Sequence, residues 1–322
     1  MVVIERHTKF KGAWDARETL LMNELETNLK HWYDWAFLGI GAWTNVTTAQ
    51  TGIYGGEEGV FRSVTDQSYT DGQVWESFRK DWVWETGVEY DDDGANPEPT
   101  DVAIYVGGIL QTTGSYHLNY PLGRVIFNNP ISTTSTVTAD YSYRNVQVYK
   151  ADDAVWWQEL QFASHRADDD FFTRDDNLGD WSVGGQHRIQ MPCIVVEAVP
   201  RRISKGYELG NAAMTMLQDV VFHVLAENRH DRNNLVDICS FQSDKSIWLW
   251  DSNLIADSGA FPLDYRGMRT GSNMYTDLIA EDAYRWKKCT FQNATITEVA
   301  PIHPNLHEGT VRTTMEVTIG NL

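Results

Sequence analysis

The sequence predicts an α+β protein: an antiparallel sheet with one or two packed helices, an inserted small β-sandwich-like module and a long N-terminal helix. Three observations carry this. Leu21, Leu25, Leu29 and Trp32 recur at helical spacing. Short alternating stretches separated by turn residues fill 101–149. Long alternating stretches with a helix between them occupy the chain after His187.

The first helix is expected from about Asp15 to Leu38, with Asp15 and Glu18 as a box-like cap and Gly39 and Gly41 ending it. Its single apolar stripe leaves Glu24, Glu26, Lys30 and Asp34 on other faces, so the helix docks on something along one side. Residues 39–80 are rich in Gly, Thr and Ser and read as irregular with short strands. Asp81 to Glu85 alternates and reads as a strand. The acidic, Pro-containing run from Glu89 to Pro99 reads as a linker.

Within 101–149, Val102 to Val106 and the Gly107-Gly108 pair predict a strand and a two-residue turn. Tyr116 to Tyr120, Arg124 to Phe127 and Val137 to Tyr143 extend this into an antiparallel meander. Asp152 and Asp153 precede a short helix bearing Val155, Trp156, Leu160 and Phe162. Beyond it, strands are expected at Cys193–Val199 and Ala212–Ala226, and a helix at Asn228–Phe241. A short strand or buried turn follows at Ser246–Asp251, and two antiparallel strands at Cys289–Thr297 and Thr310–Ile319. The expected organisation is therefore an N-terminal helix with an irregular region (1–100), a β module (101–149), an acidic aromatic linker region (150–182) and an α+β domain (183–322).

The chain has 322 residues, with 26 Lys and Arg against 45 Asp and Glu, a net charge of −19. Residues 1–100 hold 18 acids and 8 bases, so over half of that charge lies there. Nucleic acid and anionic membranes need clustered cations, and the densest group here is only Arg201, Arg202 and Lys205. Solubility is the plainest reading of the acidity. Three well-separated cysteines, Cys193, Cys239 and Cys289, read as buried thiols rather than a disulfide scaffold. The N-terminus lacks a signal-peptide core, and no run is long enough to span a bilayer. A soluble protein made in the cytoplasm is expected, with no membrane partner.

Catalytic signatures are thin, and no cofactor, catalytic or metal site is assigned. Ser77 and Lys80 have the SxxK spacing of some acyl-transfer enzymes, without the companion motifs. His303 and His307 have a zinc-compatible spacing, but Pro304 breaks the helix that would align them. Asp91-Asp92-Asp93 and Asp168-Asp169-Asp170 offer clustered oxygens without an EF-hand pattern, and solvated loops explain them better. The chain is read as non-catalytic.

Thirteen tryptophans remain to be explained. The pairs Trp82/Trp84, Trp156/Trp157 and Trp248/Trp250 invite a sugar-stacking reading, and the first and last stand at i and i+2, which on a strand places them on one face as a flat platform. Core packing and protein interfaces use tryptophan more often. Trp32, Trp82, Trp84, Trp156, Trp157, Trp248 and Trp250 are the interface candidates.

Two segments carry a resemblance. The run from Val102 through the Gly107-Gly108 turn, Tyr116-His117-Leu118-Asn119, Gly123-Arg124-Val125-Ile126-Phe127 and Val137 to Tyr143 resembles the small β module of phage neck and tail components. Asp219 to Glu227, followed by Arg232 to Ile238, resembles the α+β fold of tail terminator and related neck proteins. Together they cover roughly a fifth of the chain, and the first 100 residues take no part. The resemblance to virion structural proteins of tailed bacteriophages implies a subunit of a neck or tail-end ring, hexameric or dodecameric, with the hexamer expected. It implies other neck, tail tube or sheath proteins as partners, and a place in the virion. DNA would at most pass through, repelled by the acidic N-terminal region if that region lines the conduit. The alternative is a glycan- or receptor-binding tail-tip or baseplate protein that uses surface tryptophans.

Overall fold

A computed structural model describes residues 21–48, 58–85, 98–162, 172–175, 180–183, 187–206, 213–271, 274–280, 282–298 and 305–319. The expected helix start at Asp15, the Asp91–Asp93 and Asp168–Asp170 clusters and His303 lie outside these residues.

Helix α1 (Leu21–Gly39) buries Leu21, Leu25, Leu29, Tyr33 and Phe37, one stripe at four-residue spacing. Each side chain of this kind contributes about 1.5–3 kcal/mol on burial. The other faces of α1 are not turned to water. Glu24, Glu26, Asn28, His31 and Asp34 are all buried, because the helix is enclosed on several sides.

Strands β1 (Trp43–Val46), β2 (Val60–Ser63), β3 (Val74–Glu76), β4 (Ala103–Val106), β5 (Ile109–Leu110), β6 (Tyr116–Asn119), β7 (Arg124–Phe127) and β8 (Val137–Arg144) form one antiparallel sheet. The Gly107-Gly108 turn between β4 and β5 forms as expected, with both residues at positive φ. The order is β5-β4-β8-β2-β3-β7-β6, and β1 also pairs with β8. It is not a simple meander, because β2 and β3 insert between β8 and β7. Their Phe61 and Trp75 join Tyr116, Val125, Phe127, Val137 and Tyr141 in one core. The mostly short strands from 101–149 bury too little apolar surface alone, and the segment 60–76 adds to it.

Asp81 to Glu85 is not a strand. Trp82 makes a single bridge to Tyr143, and Asp81 has φ +52°, a left-handed conformation that interrupts extended backbone.

Strand β9 (Gln147–Lys150) leaves the module and helix α2 (Val155–Phe162) follows. Strands β10 (Phe172–Asp175), β11 (Asp180–Val183) and β12 (His187–Ile189) form a small antiparallel sheet in a region the sequence leaves without regular structure. Then come β13 (Cys193–Gly206), β14 (Met214–Ala226), α3 (Arg229–Ser240), β15 (Ser246–Trp250), α4 (Ser252–Ser258), α5 (Tyr275–Ala280), β16 (Arg285–Glu298) and β17 (His307–Ile319). Asn228 caps α3 by accepting from the Asp231 amide at 2.8 Å.

The second large sheet runs β15-β16-β17-β14-β13-β9, antiparallel except for β9 against β13. Alternation sorts its side chains onto two faces. Ile194, Val196, Val220, Phe222, Val224, Val311, Met315 and Val317 face α1 and α3 in the main core. On the opposite face, Cys193, Val195 and Leu225 meet Trp156, Trp157, Trp181 and Ile189. That cover stops part-way along the strands. Beyond it, Arg201, Ile203, Leu217, Asp219, Arg312, Thr314 and Glu316 line an open polar hollow. The architecture is thus mixed α+β with antiparallel sheets and, among the described residues, five α-helices. No helix among them is long and apolar enough to cross a membrane.

Candidate functional site: a charged cleft where three parts of the chain meet

The polar side of α1 faces a cleft of about 430 Å³. The β module contributes Asp81, Trp84, Arg144 and the turn Asn119–Leu122. The C-terminal part contributes Tyr275 and the loop 263–267. That loop docks closely on the module. The Tyr120 amide donates to the Gly267 carbonyl at 3.1 Å, and Gly267 has φ +73°. A Cβ there would stand 2.7 Å from Asn119 Oδ1 and Pro121 Cδ, so only glycine fits.

Charges gather at the base. Arg144 Nη2 donates to both oxygens of Glu85, at 2.5 and 2.7 Å, and Arg144 Nε lies 3.6 Å from Asp81. Lys30 donates to Asp34 Oδ2 at 2.5 Å. Burial opposes the charges of Arg144 and Lys30, but the surrounding carboxylates outweigh it and hold both protonated. Burial pushes the Asp81 carboxyl up to about 6; Arg144 opposes the rise and Asp34 adds to it. His31 stacks on Tyr275 at 3.8 Å, and burial drives its pKa well below the usual imidazole value, so it is neutral.

Three further polar contacts fix α1. Asn28 bonds the Trp250 backbone both ways, donating to its carbonyl at 3.1 Å and accepting from its amide at 2.9 Å. Glu24 accepts from the Ser252 amide and hydroxyl. Glu26 accepts from the Ala198 amide at 2.7 Å, beside the bulge in β13. Burial pushes both carboxyls up to about 7.

A second polar cluster lies on the covered part of the large sheet. His223 lies 2.8 Å from Glu197 and 3.9 Å from Glu308, with the Trp157 ring at 4.4 Å. Burial opposes its protonation, yet the two carboxylates raise its pKa, while the His223 hydrogen bond lowers that of Glu197.

The tryptophans are placed differently from the expected platforms. Trp82 is fully buried in the module core, donating to the Arg79 carbonyl at 2.9 Å, while Trp84 packs with Trp250 and Tyr275 in another cluster. The stretch makes one bridge, Trp82 to Tyr143, instead of a strand, and its two tryptophans enter different clusters. Trp156 and Trp157 are carried by α2 and buried edge to face against the large sheet. A register shift between Leu249 and Trp250 separates the last pair: Trp250 is buried and Trp248 is exposed beneath Arg285. Trp32 is half-buried against Tyr33 and Phe291.

The SxxK pair is not assembled as a nucleophile and base. The Ser77 hydroxyl donates to the Arg79 carbonyl, and Lys80 pairs with Glu76 at 3.7 Å. All three cysteines are buried and free. Among the described residues, no group of His, Cys, Asp and Glu gathers as a metal site.

The cleft residues escaped the sequence reading because no motif joins them; they come from six separate stretches. The usable signal was the density of polar residues on α1 between Glu24 and Asp34. No known protein family matches the chain, and no curated protein matches it.

Proposed function

We propose that this chain is a structural subunit of the neck or tail end of a tailed bacteriophage. It works as a non-catalytic assembly protein in a hexameric ring, against other neck, tail tube or sheath proteins of the virion. The observation that carries this reading is the half-covered second sheet. Strands of 13–14 residues extend past their cover and leave an open face of mixed Arg, Thr and aliphatic character. Ile203 is 50 % exposed there, and Arg312 and Arg201 flank Asp219. Arginine beside apolar residues is the composition of protein interfaces. Exposed Ile109 and Leu110 at the β4–β5 hairpin add a second contact of this kind. The glycan- or receptor-binding alternative leans on surface tryptophans, and of the seven candidates only Trp248 is exposed.

Mass photometry and negative-stain microscopy of the purified chain test the reading, alone and with virion neck and tail components. A ring is expected, and Ile203→Glu should dissolve it while the subunit melts as before. A chain that stays monomeric at high concentration and binds no virion component overturns the proposal.

A further inference from the structure

The base of the junction cleft holds an incomplete set of polar partners. His31, Asp34 and Arg144 line it and are 8 %, 4 % and 4 % exposed. Each keeps one polar atom without a hydrogen bond: His31 Nδ1, Asp34 Oδ1 and Arg144 Nη1. Orphaned polar atoms are costly in a protein interior, and native structures rarely leave them so. Here one terminal nitrogen of a guanidinium and one oxygen of a carboxylate are orphaned on residues that line the same cavity as the neutral His31.

The charges around them are nearly balanced. Lys30, Arg144 and Lys150 stand against Asp34, Asp81 and Asp153 in the lining, with Glu85 behind Arg144; Glu85, Lys30 and Lys150 are already engaged in short ion pairs. A lone anion would satisfy Arg144 and repel the carboxylates. A lone cation would satisfy Asp34 and repel Arg144 and Lys30. A molecule carrying both charges answers both orphans. The cavity is about 430 Å³, within the range of small-molecule pockets and larger than a few waters need. Its apolar wall is the His31–Tyr275 stack with the Trp84 ring edge-on to Tyr275 at 5.5 Å, a surface that suits an organic side chain. Asp81 holds a left-handed backbone conformation in this wall, fixed by bonds from its amide to the Pro121 carbonyl and to its carbonyl from the Arg144 amide. Such strain concentrates at ligand clamps.

We propose that the cleft binds a small zwitterion of the free amino-acid class, its carboxylate on the Arg144 guanidinium and its ammonium on Asp34 and Asp81. Entry is past Leu122, Tyr265 and Arg266 at the mouth, where Leu122 is 40 % exposed. The binding is a property of one subunit and does not depend on the ring.

The test uses the full chain and the twenty common L-amino acids, screened singly by thermal shift and followed by calorimetry. At least one should raise the melting temperature and bind with a millimolar or tighter Kd. Its decarboxylated amine and its deaminated acid should each bind at least tenfold more weakly. Arg144→Lys keeps the charge but removes the fork, and should weaken binding at least tenfold. Should that variant fail to fold, Leu122→Trp at the mouth gives the same reading by narrowing entry, with its ligand-free melt as the fold check. The proposal is overturned if no amino acid binds, if either single-charge analogue binds as well as the zwitterion, or if Leu122→Trp folds and binds unchanged. Since the assay reads the subunit alone, its failure leaves the ring assembly to be judged by its own experiment.

Discussion

Replacing Glu26 with glutamine should reshape the pH dependence of stability. Glu26 is 5 % exposed and accepts from the Ala198 amide. Its pKa is pushed from 4.5 up to about 7, chiefly by burial. A carboxyl raised in the folded state contributes stability that is fully present below the unfolded value, near 4.5, and is lost as pH rises through 7. The shift of 7 − 4.5 is about 2.5 units, which at 1.36 kcal/mol per unit corresponds to about 3 kcal/mol. Glutamine keeps the acceptor for Ala198 and cannot ionise. Urea titrations followed by tryptophan fluorescence at pH 5 and pH 8 measure the effect. Between these pH values the wild type should lose about 2–3 kcal/mol more than Glu26→Gln does, and the variant should be the more stable of the two at pH 8. Equal slopes for both proteins, or a variant that is less stable at pH 8, would refute the argument that a buried carboxyl is being forced to ionise.

Asn28→Ala removes both bonds to the Trp250 backbone and should cost about 2–4 kcal/mol, read as a lowered urea midpoint with an unchanged slope. Gly267→Ala forces a Cβ against Asn119 and Pro121 at positive φ; limited proteolysis should cut the loop 263–267 faster, with a stability loss of about 1–3 kcal/mol. Trp82→Ala should cost about 3–5 kcal/mol, whereas exposed Trp248→Ala should stay within about 0.5 kcal/mol, both by thermal melts.

What was legible in the sequence was local. The Gly107-Gly108 turn, the helix at Asn228–Phe241, the alternation of β14 and the strands β16 and β17 each depend on neighbours within a few residues, and the structure contains them, while β13 runs seven residues past the expected end at Val199. The strand order of the module depends on which distant segment supplies Phe61 and Trp75, and no local pattern encodes that. The reading of Trp82 and Trp84 as one face failed because 81–85 forms a single bridge and no strand, and two different cores take up the rings. The sequence docks α1 along its apolar stripe alone, because burial of charge is set by partners far away in the chain. Trp250, Ser252 and Ala198 meet Asn28, Glu24 and Glu26 only after distant segments close on the helix. A charged helix face in sequence is ambiguous until its partners are placed.

The uneven cover of the large sheet also sets a gradient of local opening. Near Cys193 and Leu225 the β13–β14 hairpin is sandwiched between two cores, while near Arg202 and Leu217 it is packed on one side only. Amide protons at 193–196 and 220–225 should therefore exchange with solvent only through large unfolding, and those at 202–205 and 215–218 through small local fraying. The end of the hairpin away from the double core is the softest part of an otherwise stiff slab. A neighbour docking there would slow exchange at that end first, turning the amides of β13 and β14 into a built-in reporter of assembly.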